Sequence, residues 1–191
     1  ASNLASILTI GEQQASTLPI NYQIQMLAQL DTYTALIVAG MQGHNKSVTY
    51  NEVFKNDTVI LAPIAEAECS STVGVQLGTA MSIYAAGIGQ GTLTGYGRLQ
   101  SGFMSIPVID TFLKKDSQPG LAPLNKKVFI YQGEADTTVP KAATDLLIAS
   151  MKANGTSASN IQYTTSAAWD HGTVYTQNYT SFVDNIDSLF Q

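Results

Sequence analysis

The stretch of the chain that most constrains its fold is "VFIYQGEADTTVPKAATDLL", residues 128–147. A continuous apolar run predicts a strand buried on both faces, the acidic residues and Pro140 predict a turn, and "KAATDLLIASMKANG" predicts an amphipathic helix. A second strand, "NIQYTT", and a closing helix, "YTQNYTSFVDNIDSLF", follow. Strand, helix, strand, helix in this order indicates parallel strands, so the predicted fold class is α/β.

The earlier part of the chain predicts helices. In "YQIQMLAQLDTYTALIVAGMQG", the residues Met26, Leu30, Tyr33 and Ile37 recur at the spacing of one helix face. Residues 87–102 are rich in glycine, and we interpret them as the most mobile internal segment, a connecting loop rather than a phosphate cradle. We therefore expect two regions, a helical region at 1–116 and a region with the two strands at 117–191.

Asp136 and His171 are the candidate catalytic residues. Each follows one of the two predicted strands, and the carboxyl ends of adjacent parallel strands lie side by side in α/β sheets. A carboxylate that accepts a hydrogen bond from one imidazole nitrogen leaves the other nitrogen to act as a general base. An ordinary turn-forming Asp is the alternative reading of Asp136. Glu134 and Asp170 lie nearby in sequence, but the second histidine, His44, falls in the helical region, so we expect no metal site.

Charge and hydropathy exclude two classes of partner. Nine Lys and Arg residues against fourteen Asp and Glu give a net charge of -5, without the basic stripe that nucleic acid requires. No apolar run reaches the roughly 18 residues of a membrane span. Cys69 is the only cysteine, so no disulfide forms within the chain. Glycosylation sequons begin at Asn45, Asn56, Asn154 and Asn178, and they favour a secreted or periplasmic location.

The motif "GEADTTVP", followed one helix and one strand later by "DHG", resembles the end of an α/β-hydrolase. The chain is similar to the secreted lipases and esterases of the fungal lipase A type and their bacterial relatives. In "YTALIVAGMQGHNKSVTYNEVFKNDTVI" it also resembles the helical lid of that group. The resemblance implies a partial α/β-hydrolase fold, with a lid followed by the last two strand-helix units. It also implies Asp136 as triad acid, His171 as triad base and no cofactor.

The nucleophile motif of that fold, G-x-S-x-G, does not occur in this sequence. Its closest counterpart, "AGMQGHN", would place Met41 or Gln42 at the nucleophile position, and neither can act there. We interpret that segment as a helix end. The predicted function is thus a serine-type carboxylic ester hydrolase for an ester or lipid, in which this chain supplies acid and base but no nucleophile.

Several readings of the missing nucleophile stay open. The chain is part of a split enzyme, an isolated fragment that dimerises, or a derivative without catalysis. Because two strands leave an unpaired sheet edge, we expect a second polypeptide or a second copy to complete the sheet. The alternative functions are a peptidase of the same fold and a non-catalytic binding or structural module.

Overall fold

A computed structural model of the chain describes residues 3–117 and 119–190. It is a mixed α/β protein that divides into two compact units. The helical unit comprises residues 11–113, and the strand unit comprises residues 114–191 with the amino-terminal residues up to Ile10. The sequence places the boundary at 116/117 and assigns the first ten residues to the helical region, so the two divisions differ at these places. Each unit is described by itself below.

The first part of the chain is helical, as its hydrophobic spacing predicts. Its α-helices are α1 (Asn3–Ala15), α2 (Ile20–His44), α3 (Tyr50–Val53), α4 (Asn56–Leu61), α5 (Ser70–Ala86) and α6 (Pro107–Thr111). Short 3-10 turns at Ala62–Glu66 and Phe103–Ser105 and a π turn at Phe112–Asp116 complete it. The short helix α3 begins at a capping box formed by Thr49 and Glu52.

The core of the helical unit lies where α2 packs on α5. Gly74 and Gly78 of α5 permit a close approach, because a Cβ at Gly78 would lie 3.5 Å from the Ala28 Cβ. The predicted face of α2 is wrong at Tyr33, which is 36% exposed. Helix α2 packs against the turn Ala62–Glu66 as well as against α5. Its buried surface is therefore wider than one helix face and also includes Asp31, Thr34, Ala35 and Val38.

The glycine-rich segment 87–102 contains no regular helix or strand, yet several hydrogen bonds hold it. The Tyr84 hydroxyl donates to the Thr94 carbonyl at 2.8 Å. Near its end, the Lys55 N–H donates to the Arg98 carbonyl at 3.0 Å, and Phe54 and Leu99 form an isolated antiparallel bridge. The mobility of this segment stays a prediction.

The strand unit contains the predicted alternation of strands and helices. It comprises β1 (Val128–Gly133), α7 (Lys141–Ala153), a 3-10 turn (Ala158–Asn160), β2 (Ile161–Ser166), α8 (Thr173–Gln177) and α9 (Tyr179–Asp187). The two strands are parallel, as predicted, in a register that runs from Val128 opposite Ile161 to Gly133 opposite Ser166. The predicted closing helix is broken in two at Asn178, whose side-chain amide donates to the Val174 carbonyl at 2.8 Å.

Helices α7 and α9 lie on opposite faces of this sheet. Side chains alternate along a strand, and Gln132 accepts a hydrogen bond from Thr144 of α7, whereas Tyr131 packs edge-on against Phe182 of α9 at 4.6 Å between ring centroids. The expectation that β1 is buried on both faces is only partly met. Residues 128–131 are half-buried, and only the last two residues of β1 are buried.

No helix in the described ranges, 3–117 and 119–190, is long and apolar enough to span a membrane.

Candidate functional site

The turn after β1 holds one oxygen of Asp136 and leaves the other available. The backbone N–H groups of Thr138 and Val139 each donate to Asp136 Oδ1 at 2.8 Å. Asp136 is only 7% exposed, and a buried carboxylate needs such donors. Pro140 then leads directly into α7. The local sequence D-T-T-V-P thus fixes the carboxylate plane and presents Oδ2 outward from the turn.

The loop after β2 is closed by reciprocal hydrogen bonds between Asp170 and Thr173, the residues on either side of His171 and Gly172. Asp170 Oδ1 accepts from the Thr173 N–H and the Thr173 hydroxyl, both at 2.7 Å, while that hydroxyl accepts from the Asp170 N–H at 2.7 Å. The Gly172 N–H also donates to Asp170 Oδ1, at 3.0 Å. These bonds, those from Thr173 foremost, lower the pKa of Asp170 below its usual value. His171 is therefore carried on an ordered turn.

The two loops are joined to each other through their backbones. The Glu134 N–H donates to the Ser166 carbonyl and the Ala135 N–H donates to the Trp169 carbonyl, each at 3.0 Å. A Cβ built on Gly133 would lie 2.3 Å from the Trp169 carbonyl oxygen. Position 133 therefore accommodates only glycine if the loop that bears His171 is to keep this position.

The Asp136 and His171 side chains meet at the carboxyl ends of the adjacent strands. His171 Nδ1 lies 3.0 Å from Asp136 Oδ2, so the predicted hydrogen-bonding distance is confirmed. The Asp136 side chain is 5% exposed and that of His171 is 55% exposed. Since an ionised carboxylate only accepts hydrogen bonds, the pair favours the tautomer with the proton on Nδ1. Nε2 is then the basic nitrogen, on a ring that a second group can reach.

Glu134, the acidic residue next to the site in sequence, has a structural contact rather than a metal-binding one. Glu134 accepts a hydrogen bond from the Thr165 hydroxyl at 2.8 Å, which ties the loop after β1 to strand β2. Among the described residues, no three His, Cys, Asp or Glu side chains are grouped closely enough to hold a metal ion. Sequence reasoning missed Thr173 and Gly133. An Asp in a turn commonly accepts hydrogen bonds from the backbone shortly after it, so the spacing D-x-x-T at 170–173 was a usable signal for Thr173, whereas Gly133 had no comparable signal.

The segment "AGMQGHN", whose sequence is nearest to the nucleophile motif, is helical up to His44. Met41 and Gln42 lie in the last turn of α2, which ends at His44, as predicted. They do not lie on a strand-to-helix turn, the position of a nucleophile in an α/β-hydrolase. Across residues 3–117 and 119–190, the His171 ring makes no hydrogen bond besides that to Asp136.

Comparison with known proteins does not extend this picture. No family model matches the chain, and neither the curated proteins nor the solved structures include a match. Any functional conclusion therefore rests on the chemistry of the site.

Proposed function

We propose that Asp136 and His171 are the acid and base of a serine-type carboxylic ester hydrolase of lipase or esterase character. One observation carries the proposal, the 3.0 Å contact between His171 Nδ1 and Asp136 Oδ2. It lies after two adjacent parallel strands, where α/β proteins place their active sites. The order of acid before base along the chain is also that of the α/β-hydrolases.

In the proposed reaction, His171 Nε2 removes the proton from a serine hydroxyl as the serine oxygen attacks the ester carbonyl. The Asp136 carboxylate stabilises the imidazolium that results, without itself taking the proton. The imidazolium then protonates the departing alkoxide, which leaves an acyl-serine and a neutral histidine. Water, activated by the same nitrogen, hydrolyses the acyl-serine and regenerates both groups.

The serine of this proposal comes from outside the 191 residues, and this chain contributes the carboxyl-terminal part of the fold. The half-buried side chains of Val128, Phe129, Ile130 and Tyr131 support this idea, because strands in a complete α/β sheet are covered on both faces. Within the described residues, the sheet has two strands, and a two-stranded sheet is marginal alone. A second polypeptide or a second copy of the chain is the partner proposed to complete it.

A secreted or periplasmic location belongs to the same proposal, and the sequons make it testable. Asn45 follows the end of α2, and its Oδ1 accepts the Ser47 N–H at 3.0 Å, so its side-chain amide is left for a glycan. Asn178 is 7% exposed and uses its amide to bond the Val174 carbonyl. In a eukaryotic secretory host we expect peptide mass spectrometry to find a glycan on Asn45 and none on Asn178.

The experiment that tests the function uses two preparations. The first is the chain alone, and the second is the chain together with the polypeptide encoded in frame upstream of it. Both are assayed on a short and a long p-nitrophenyl ester and on a peptide anilide, with the mass in solution measured in parallel. We expect ester hydrolysis only in the second preparation, with a G-x-S-x-G motif in the added polypeptide.

Three results would contradict this expectation. Turnover by a verified single 191-residue species, abolished by His171→Ala, would mean that the nucleophile lies within this chain. Cleavage of the anilide in preference to the esters would favour the peptidase. Inactivity of both preparations, with no serine motif upstream, would favour a non-catalytic module.

A further inference from the structure

Gln132 is a buried amide at the end of an apolar strand, and all of its polar atoms are engaged. It is 5% exposed. Its Nε2 donates to the Gly133 carbonyl at 2.8 Å and to the Val139 carbonyl at 2.9 Å. Its Oε1 accepts from the Thr144 hydroxyl of α7 at 2.6 Å. Since an amide buried without partners is costly, this position is built around a specific set of hydrogen bonds.

The bond to Val139 links Gln132 to the turn that holds the candidate acid. Val139 accepts from Gln132 through its carbonyl and donates its own N–H to Asp136 Oδ1 at 2.8 Å. A continuous path therefore runs from Thr144 through Gln132 and Val139 to one oxygen of the Asp136 carboxylate. The other oxygen of the same carboxylate meets His171 Nδ1. Fixing Oδ1 fixes the direction in which Oδ2 is presented.

We propose that Gln132 is a positioning residue for the Asp136–His171 pair. This inference rests on the proposed function, since it concerns the same acid and base. Gln132 does not touch His171; it holds the Val139 carbonyl. The N–H of the same residue holds Asp136 Oδ1, in the orientation that keeps the imidazole proton on Nδ1. Without the amide, the turn is anchored by fewer bonds, and Oδ2 is presented to the imidazole over a wider range of positions.

Thr144 orients the Gln132 amide. Its hydroxyl donates to Oε1, which leaves Nε2 directed at the two carbonyls. In the reverse orientation of the amide, Oε1 would face two carbonyl oxygens and repel them. Removing the Thr144 hydroxyl is therefore expected to weaken the same path in a milder way than removing Gln132.

The test measures the tautomer of neutral His171 by long-range proton–nitrogen NMR on the full chain labelled at histidine. His44 gives the second set of signals, and a His44→Gln spectrum assigns the two. In the wild type we expect the Nδ1–H tautomer of His171. In Gln132→Met, of similar volume but without the amide, we expect the ratio of tautomers to change by about twofold to tenfold toward Nε2–H, the factor that one hydrogen bond carries.

The matched control is Thr156→Val. Thr156 is 3% exposed and its hydroxyl accepts the Leu124 N–H at 3.0 Å, so its loss removes a buried hydrogen bond in the same unit without touching the path to Asp136. A change in the tautomer ratio in Gln132→Met but not in Thr156→Val supports the proposal. Equal ratios in Gln132→Met and the wild type overturn it.

Three further outcomes each have a definite meaning. If Gln132→Met does not fold, Thr144→Val takes its place, and a wild-type ratio in that variant overturns the proposal. If the wild type itself shows no preference for Nδ1–H, the pairing of Asp136 with His171 fails, and the proposed function fails with it. If the wild type shows the preference and the variants retain it, only the role of Gln132 is lost.

Discussion

Each unit of this protein contains a buried aspartate paired with a basic side chain, and the two pairs differ in the exposure of the basic partner. In the helical unit, Asp31 is fully buried and accepts from Arg98 Nε at 3.0 Å and from Arg98 Nη2 at 2.6 Å. The Arg98 side chain is 11% exposed and also reaches Glu12 at 3.1 Å. In the strand unit, Asp136 makes one contact with His171, whose side chain is 55% exposed.

The Asp31–Arg98 pair holds the helical unit together, whereas the Asp136–His171 pair has the geometry that proton transfer requires. Arginine stays protonated at any working pH, so the Arg98 guanidinium cannot take a proton from a substrate. Burial raises the pKa of Asp31, against the lowering effect of Arg98, and this is the desolvation cost of a buried ion pair. Histidine has two ring nitrogens, so His171 can bond Asp136 through one while the other takes up or donates a proton, and its ring is exposed to a second group. Partner and exposure, rather than the aspartate, decide the role.

The largest expected effect is on catalysis. Asp136→Asn replaces the acceptor for His171 Nδ1 and removes the charge that would stabilise the imidazolium, so kcat of the proposed hydrolase, assembled with its proposed partner, should fall by about 10⁴-fold. The measurement is ester turnover at saturating substrate. Asp145→Asn is the matched control, since Asp145 belongs to the same unit and pairs with Lys141 instead. Equal activities in the two variants would mean that the Asp136–His171 pair has no catalytic role.

The second largest expected effect is on the stability of the helical unit. Asp31→Ala leaves the Arg98 guanidinium buried without its main partner, and we expect a loss of about 3–5 kcal/mol in the free energy of unfolding. Circular dichroism follows the helices during denaturation, while fluorescence of Trp169, the only tryptophan, follows the strand unit. His171→Ala should change neither transition by more than about 0.5 kcal/mol, because its side chain is mostly exposed.

Replacing both members of the buried pair refines this prediction. Asp31→Leu combined with Arg98→Met removes both charges and should recover most of the stability lost in Asp31→Ala. A double variant as unstable as the single one would mean that hydrogen-bond geometry, rather than the uncompensated charge, dominates at this position.

A smaller effect is expected at the close approach beside the candidate site. Gly133→Ala forces a Cβ against the Trp169 carbonyl oxygen, which should cost about 1–3 kcal/mol in the Trp169 transition and displace the His171 loop. Gly40→Ala is the control, since Gly40 lies inside α2 with no atom within 4 Å of an added Cβ. That change should stabilise the chain by up to about 1 kcal/mol. A neutral Gly133→Ala would show that the loop is free to shift.

The smallest effect depends on pH. Hydrogen bonds from Thr173 lower the pKa of Asp170 in the folded state, so the stabilisation they provide is present above the unfolded value of about 3.9 and is lost as the pH falls through the folded pKa. We expect the protection of the Gly172 and Thr173 amides against hydrogen exchange to decrease below about pH 4. Asp170→Asn should remove this pH dependence. The Asp136–His171 distance should open in the same window if the turn around Asp170 holds it.

Local sequence patterns were sufficient to predict some residues of the candidate site but not all of them. Asp136 and His171 could be found because each follows a recognisable strand, and parallel strands bring their carboxyl ends together regardless of the details of packing. Thr173 could have been found from the D-x-x-T spacing at 170–173. Gly133 and Gln132 could not, because their importance comes from the Trp169 carbonyl and the Val139 carbonyl, whose positions are set only once the loops are folded.

The sequence by itself determined the mixed α/β character of this protein, the order of its parallel strands and helices, and the meeting of one aspartate with one histidine. These features follow from hydrophobic period, turn residues and chain direction, which are local properties. The tertiary structure alone decided that Tyr33 is exposed, that the two strands are only half covered, and that Asp31 pairs with Arg98. That last pair is 67 residues apart, and no local pattern encodes it, because a contact at that separation depends on how the helices pack.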